Sequence, residues 1–297
     1  VAYFIVSMID YRKYFKYYKF LYVFNIIFLT ALLVIGESRL GAQRWINLGP
    51  ITLQPSEIGK VIVVLTLSAF IAIHFRGKTL GFKSFMMCGA FVAPVLLLIL
   101  KQPDLGTTMI ITMTFFVILF IANLEWKIIV SMGVIAAISA PLSFFFLLKD
   151  YQKKRILTFL NPEADPLKGG WNVTQSMIAI GSGGLNGKGF LNSTQSKLRF
   201  LPEAHTDFIA SVFLEERGFI GGIVLFLLYL ILILQILYIA DTTEDKYGRL
   251  VCYGIGSIFF FHFVINVGMT MGIMPVTGKP LLLMSYGGTS LLLSFVM

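Results

Sequence analysis

The stretch FIGGIVLFLLYLILILQILYIA, residues 219–240, decides the fold class of this chain. It carries no charged side chain and is long enough to cross the hydrocarbon core of a bilayer, which takes roughly 20 apolar residues in a helix. Other long apolar stretches recur along the 297 residues. They lack the alternation of lipid-facing and lumen-facing positions that β-barrel strands show. The pattern therefore predicts an all-α polytopic membrane protein.

Composition supports the same class. Apolar residues make up 57% of the chain and charged residues 13%, whereas soluble domains carry about 45–50% and about 25% respectively. Together with a mean hydropathy of +0.84, these values exclude a cytosolic enzyme, a secreted disulfide scaffold and a disordered tail. The net charge of +9 is explained mainly by basic loops beside a membrane, so no nucleic-acid partner is predicted.

Nine apolar stretches are predicted to cross the membrane. They are a partial span ending near Ile9 and residues 20–35, 56–75, 85–100, 105–123, 127–148, 219–240, 250–273 and 281–297. Both ends of the chain are expected to be cut within spans. With no soluble domain or fixed-period repeat visible, residues 1–297 are interpreted as one integral membrane domain.

The distribution of basic residues predicts the orientation of these spans. Short loops at residues 10–19, 76–84, 124–127 and 241–249 hold ten Lys or Arg, and the short loops on the opposite side hold four. The positive-inside rule assigns the first set to the cytoplasm. The connection at residues 149–218 is then extracytoplasmic. It is long for a simple loop and too apolar for disorder, so it is expected to fold back onto the outer membrane face.

Ionisable residues at the edge of a span suggest a polar site, because each is costly to place in lipid. In QPSEIGK, residues 54–60, Pro55 suits the first turn of a helix, and the three-residue spacing places Glu57 and Lys60 on one face. One interpretation is an ion pair that only holds helices together. The favoured interpretation is a polar cavity, because Lys60 lies about 7 Å below the helix start.

Two external loops add further candidates. In the turn KQPD, residues 101–104, Lys101 precedes Asp104, which can cap the following helix and interact with its positive dipole end. Capping alone and a role in a site are left as alternatives. Arg44 and Trp45 lie in the loop after residue 35. A tryptophan is typical of the membrane interface, and an arginine beside it can bind lipid headgroups.

The end of the long connection concentrates acid–base groups. Its sequence RFLPEAHTDF, residues 199–208, contains Arg199, His205, Thr206 and Asp207, with apolar residues between and after them. Those apolar neighbours predict burial of His205 and Asp207, which would raise the pKa of the Asp207 carboxyl toward that of a useful base. By contrast, His262, mid-span with Asn266 one turn on, is predicted to make an interhelical hydrogen bond rather than to bind a ligand.

Five stretches resemble the SEDS family (shape, elongation, division and sporulation proteins), and most of all its RodA branch. They are GAQRWINLGPITLQPSEIGK (41–60), KQPDLGT (101–107), RILTFLNPEADPLKGGWNVTQSMIAIGSGGLNGKGF (155–190), STQSKLRFLPEAHTDF (193–208) and MPVTGKPLLLMSYGGTS (274–290). The resemblance implies a ten-span fold with a large extracytoplasmic loop, of which about nine spans are present. Lys279 and the pair Ala210–Ser211 depart from the pattern usual in the family.

The resemblance implies a peptidoglycan glycosyltransferase that polymerises lipid II with inversion during cell elongation. Asp207 would then be the general base that takes the proton of the acceptor hydroxyl. Cationic groups would neutralise the departing diphosphate, and a divalent ion such as Mg²⁺ or Mn²⁺ is an alternative that no ligand spacing establishes. The residues expected to bind substrate are Arg44, Trp45, Glu57, Lys60, Lys101, Asp104, Arg199, His205 and Thr206.

Two other functions stay open at this point, a lipid II flippase and a non-catalytic scaffold of the elongation complex. A flippase is expected to place its essential charges near the bilayer midplane, whereas these cluster toward the outer surface. The resemblance further implies a class B penicillin-binding protein as partner, besides lipid II and membrane lipids. It also implies the bacterial inner membrane as location, with the active site on the extracytoplasmic face.

Overall fold

The computed structural model describes residues 2–35, 37–39, 42–47, 52–75, 77, 79–146, 150–161, 169–198 and 200–297. These residues form thirteen helices and three short strands. The chain divides into two compact units. The first comprises Val1–Ile129, Ile233–Phe261 and Gly288–Met297, and the second comprises Val130–Leu232 and His262–Gly287.

The first unit is a helical bundle with a small sheet. Its helices are α1 (Ala2–Ser7), α2 (Arg12–Lys16), α3 (Tyr18–Ile35), α4 (Pro55–His74), α5 (Phe82–Lys101), α6 (Leu105–Ile121) and α13 (Gly288–Val296). The antiparallel sheet has the order β1 (Glu37–Arg39), β2 (Ala42–Asn47), β3 (Thr52–Leu53). The sequence predicted only a loop here. After β3 a single residue, Gln54, precedes Pro55, which begins α4 as predicted, because proline has no N–H to lose at that position.

Helix α4 is the central helix of the first unit. It packs against α3, α5 and α6, and most of its side chains are buried, Val64, Leu67 and Ile71 completely. In α6, Ile118 is likewise fully buried. Because α4 is surrounded by other helices, its polar residues face protein rather than lipid.

The second unit contains most of the long connection, which is largely helical. It holds α8 (Asp150–Leu160), α9 (Gly169–Gly183) and α10 (Thr194–Lys197). Three longer helices have residues in both units: α7 (Trp126–Phe146), α11 (Ile209–Thr242) and α12 (Lys246–Thr270). The helix α11 begins before the predicted span, but its backbone is broken at Gly218 (φ 64°, ψ −165°), next to the predicted boundary.

The predicted span at residues 281–297 is wrong in its first part. Residues 281–287 form turns, and only Gly288–Val296 is helical. Ser285 accounts for part of the difference, because its hydroxyl accepts a hydrogen bond from the Leu281 N–H at 2.7 Å. In addition, the Tyr229 hydroxyl donates to the carbonyl of Leu282. The Tyr286 N–H, which a helix would pair with the Leu282 carbonyl, donates instead to the carbonyl of His205 at 2.8 Å.

Each of the nine predicted spans contains a helix. By length and composition, four helices among the described residues can cross a membrane: Pro55–His74, Phe82–Lys101, Ile209–Thr242 and Lys246–Thr270. Shorter apolar helices cover Tyr18–Val34, Leu105–Ile121 and Trp126–Ser139. The predicted all-α membrane architecture is confirmed, with the small sheet as an addition.

Candidate functional site

A buried ion pair lies in the first turns of α4. The Lys60 ammonium donates to Glu57 Oε2 at 2.5 Å, and the two side chains are 1% and 2% exposed. The predicted pairing of these residues is confirmed. Two charges removed from water in this way must be held by close partners, because an isolated buried charge is very costly. Both residues also make further interactions.

Asp104 is a second predicted residue of the first unit that is fully buried. It caps α6, as predicted, with Oδ1 accepting from the backbone N–H of Thr107 at 3.1 Å. Its Oδ2 accepts from Gln54 Nε2 at 3.1 Å, from Ser56 Oγ at 3.0 Å and from Thr107 Oγ1 at 2.8 Å. The carboxylate therefore joins the start of α4 to the start of α6.

Four other predicted residues occupy different settings. Trp45 lies half-buried in β2. Arg44 belongs to the same strand, but its side chain is outside the described part of the structure. Lys101 is exposed at the end of α5, and Arg199 lies outside the described residues. The structure thus brings Glu57 together with Lys60, and Asp104 together with the start of α4.

Asp207 lies in a turn just before α11, in the second unit, and is half-buried. Its backbone carbonyl accepts a hydrogen bond from Asn266 Nδ2 at 2.8 Å. The two preceding carbonyls are also bonded: that of Thr206 to Ser285 Oγ at 2.7 Å and that of His205 to the Tyr286 N–H at 2.8 Å. Three consecutive carbonyls therefore have donors from α12 or from the segment that follows it.

The carboxylate of Asp207 lies close to the backbone at Gly278. A Cβ added to Gly278 would be 3.2 Å from Asp207 Oδ2, and Gly278 has φ +67°. Only glycine adopts this conformation without strain. The next residue, Lys279, is buried (2% exposed) although its side chain is basic. Its carbonyl accepts from Asn266 Nδ2 at 2.7 Å, so Asn266 bonds to both sides of this junction.

The predicted burial around the acid–base groups is correct only in part. Leu201 and Phe208 are buried in a cluster with Ala204. His205, however, is exposed, and its ring makes an edge contact with Tyr286 at a centroid distance of 5.9 Å. The predicted burial of His205 is therefore wrong, since the apolar residues around it pack with one another beneath the turn.

Thr206 is half-buried. Its Oγ1 donates to Glu203 Oε2 at 2.9 Å. That contact stays within the turn and supports its shape. The predicted rise in the pKa of Asp207 stays a prediction.

The broken part of α11 is fixed by a buried carboxylate. Glu215 Oε1 accepts from Lys188 Nζ at 2.7 Å and from the Thr194 N–H at 2.9 Å, and Oε2 accepts from Ser193 Oγ at 2.6 Å. The Glu215 side chain is completely buried. It ties the short helical segment that follows Asp207 to the loop between α9 and α10.

The described residues do not form a site that suits a divalent cation. Within them, no group of three or more His, Cys, Asp or Glu side chains could hold a metal ion. The buried carboxylate of Asp104 already accepts from N–H and O–H donors on both oxygens. A cation would have to displace those donors, so no step below is routed through one.

Sequence reasoning missed the residues that hold Asp207. Asn266 was interpreted as an interhelical partner, whereas it bonds to the turn at Asp207 and to the carbonyl of Lys279. His262 behaves similarly, with Nδ1 2.9 Å from the carbonyl of Pro280. The available signal was an amide and an imidazole one turn apart in an apolar helix, which requires polar partners. It could not say which residues those partners are.

Together these features can support proton transfer. Asp207 presents a carboxylate from a turn whose backbone is held by several hydrogen bonds, and it is only half-buried. A carboxylate in that state can accept a proton from a bound hydroxyl group.

Comparisons with known proteins agree with this architecture. A family model for FtsW, RodA and SpoVE, described as "Cell cycle protein", matches residues 1–297. The peptidoglycan glycosyltransferase MrdB of Escherichia coli (strain K12) is 42% identical over 288 residues, covering 97% of this chain and 77% of MrdB. The peptidoglycan glycosyltransferase RodA of Treponema pallidum (strain Nichols) is 36% identical, covering 96% of this chain and 82% of that protein.

A solved structure is similar as well. A chain from a study of "structural coordination of polymerization and crosslinking by a peptidoglycan synthase complex" superposes with a TM-score of 0.85 at 30% identity. The match covers 99% of this chain and 82% of the solved chain. The similarity therefore extends over almost the whole chain.

Proposed function

The chain belongs to the FtsW, RodA and SpoVE family of cell cycle proteins, and we propose that it is a peptidoglycan glycosyltransferase that polymerises lipid II during cell elongation. Relatives named MrdB and RodA support this function. The observation that carries the chemistry is the half-buried Asp207 carboxylate at the end of a turn whose last three carbonyls all accept hydrogen bonds.

Asp207 is proposed as the general base of an inverting transfer. Its carboxylate takes the proton of the acceptor sugar's 4-hydroxyl as that oxygen attacks the anomeric carbon of the donor. The bond between that carbon and the diphosphate oxygen breaks, and undecaprenyl diphosphate leaves with the electron pair. Attack from the face opposite an α-linked diphosphate gives a β linkage.

The departing diphosphate requires positive charge nearby, because its oxygens become more negative as the bond breaks. We propose Lys60 for this role, oriented by Glu57 through their 2.5 Å contact. Arg44 and Arg199 are proposed as additional cations on the basis of the sequence.

The setting of the reaction is proposed from the family and from the charge pattern. We place the protein in the bacterial inner membrane with its site on the extracytoplasmic face, since the basic short loops favour a cytoplasmic position for the opposite face. We also propose a class B penicillin-binding protein as its partner. In support, the similar solved chain comes from a complex described by both polymerisation and crosslinking.

The test uses the purified protein, with its transpeptidase partner, and labelled lipid II, with glycan strands resolved on a gel. Asp207→Asn should lower the rate of polymerisation by at least about 10²-fold, the lower limit for loss of a positioned base. The matched control is Asp241→Asn, because Asp241 is exposed and its Oδ1 only accepts from the Tyr253 hydroxyl, which an amide oxygen can replace.

Each outcome of this assay has one meaning. Polymerisation by Asp207→Asn at the parental rate would disprove the proposed base. An inactive parent that nevertheless moves lipid II across vesicles would favour a flippase, and one that does neither would favour a scaffold. A parallel reaction with EDTA tests the divalent cation that the family resemblance suggested.

A further inference from the structure

We propose that Asn266 is a positioning residue for the reaction, which holds the backbone of Asp207 so that its carboxylate is directed at the acceptor hydroxyl. The inference rests on the glycosyltransferase function proposed above, in which Asp207 is the base. Asn266 itself does not need to touch the substrate.

The two N–H bonds of the Asn266 amide serve two carbonyls. One is the carbonyl of Asp207, at 2.8 Å, and the other is that of Lys279, at 2.7 Å. Because both neighbours are acceptors, the orientation of the amide is fixed by its surroundings. Asn266 is completely buried in α12, so water does not compete for these bonds.

The peptide groups on both sides of Asp207 are held independently. The carbonyl of Thr206, held by Ser285 Oγ at 2.7 Å, orients the peptide plane before Asp207. The carbonyl of Asp207, held by Asn266, orients the plane after it. Since peptide groups are planar, fixing both planes fixes the two backbone dihedral angles of Asp207 and thereby the direction of its Cα–Cβ bond. Only the side-chain torsions then remain free.

The donors are themselves held in place. Ser285 Oγ accepts from the Leu281 N–H at 2.7 Å. The carbonyl of Pro280 lies 2.9 Å from His262 Nδ1, one helical turn from Asn266 in α12. The segment after α12 is therefore attached to that helix close to the point where it bonds to the Asp207 turn. Movement of Asp207 would require several buried hydrogen bonds to break together.

This arrangement matters because general-base catalysis depends on position. A displacement of about 1 Å in a reacting group can cost about 10²-fold in rate. Asn266→Leu removes both donors but keeps a side chain of similar size. We expect its kcat to fall by about 10²-fold while the KM for lipid II stays at the parental value, because the substrate contacts are not altered.

A matched serine pair separates positioning from a general loss of buried hydrogen bonds. Ser285→Ala removes the donor to the Thr206 carbonyl. Ser257→Ala, on the same helix as Asn266, removes a buried hydroxyl that donates to Thr114 Oγ1 at 3.1 Å and to the Gly254 carbonyl at 2.7 Å. Ser285→Ala should lower kcat, and Ser257→Ala should leave kcat and KM unchanged.

The experiment measures kcat and KM for glycan synthesis by each variant in complex with the partner, together with its thermal midpoint in detergent. Parental kcat in a folded Asn266→Leu overturns the inference, and so does an equal fall in kcat for the two serine variants. If Asn266→Leu fails to fold, the serine pair alone decides. Asp207→Asn is assayed in the same experiment. If Asp207→Asn stays active, both the proposed base and the positioning role of Asn266 are disproved. If Asp207→Asn is inactive and Asn266→Leu is active, only the positioning role is disproved.

Discussion

The buried pair of Lys60 and Glu57 allows its structural role to be separated from a role in catalysis. Lys60→Met leaves the Glu57 carboxylate buried without its 2.5 Å partner. Removal of one member of a buried pair costs about 3–5 kcal/mol, whereas replacing both members by well-packed hydrophobic residues of similar volume is often neutral or stabilising. The free energy of unfolding should therefore fall by about 3–5 kcal/mol in Lys60→Met and recover in Glu57→Met/Lys60→Met.

Activity should follow a different pattern from stability. If Lys60 neutralises the departing diphosphate, the double variant recovers stability but still fails to polymerise lipid II, because the ammonium is absent from both variants. Denaturant unfolding in detergent and glycan synthesis with the partner present measure the two effects. Lys246→Met is the control, since Lys246 donates to the carbonyl of Phe75 at 2.9 Å, outside the proposed site. Polymerisation by the double variant at the parental rate would refute the role of Lys60.

Two further predictions concern stability. Gly218→Ala should lower the free energy of unfolding by more than about 1 kcal/mol. The reason is that Gly218 has φ +64° and that an added Cβ would overlap the backbone nitrogen of Gly187. An unchanged unfolding midpoint would show that α11 can straighten there. Asp104→Ala should lower the free energy of unfolding by about 2 kcal/mol, the upper end for loss of a helix cap, because the donors of Gln54 and Ser56 also lose their acceptor. The same unfolding measurement checks this value. A loss of stability well below about 1 kcal/mol would contradict it.

Local rules account for what the sequence predicted correctly. The spans follow from hydropathy, the pairing of Glu57 with Lys60 from the three-residue spacing, and the cap at Asp104 from its place before α6. Each of these depends on residues only a few positions apart. The long-range contacts of the same residues could not be predicted. No pattern in the neighbouring sequence indicates that Asp104 also accepts a hydrogen bond from Gln54, 50 residues away.

The errors arose where tertiary contacts override local preference. Residues 281–287 are apolar enough for a span, but Tyr229 binds the Leu282 carbonyl, and the Tyr286 N–H, its partner in a helix, donates to the His205 carbonyl instead. The exposure of His205 has a similar cause, because Leu201 and Phe208 pack together instead of covering the ring. Hydropathy measures how apolar a segment is and contains no information about which partner it meets.

The polar residues of α12 show why a membrane protein can build an active site from irregular backbone. A carbonyl without a hydrogen bond is costly wherever water is excluded, so irregular segments persist only where the protein supplies donors. Asn266 supplies them to Asp207 and Lys279, and His262 lies at hydrogen-bond distance from the carbonyl of Pro280. A helix could not present Asp207 in this way, because its carbonyls would be engaged along the helix axis. An amide and an imidazole one turn apart in an apolar helix are therefore better interpreted as donors to nearby irregular backbone than as ligands. That interpretation directs the search for a catalytic group to the turn they support.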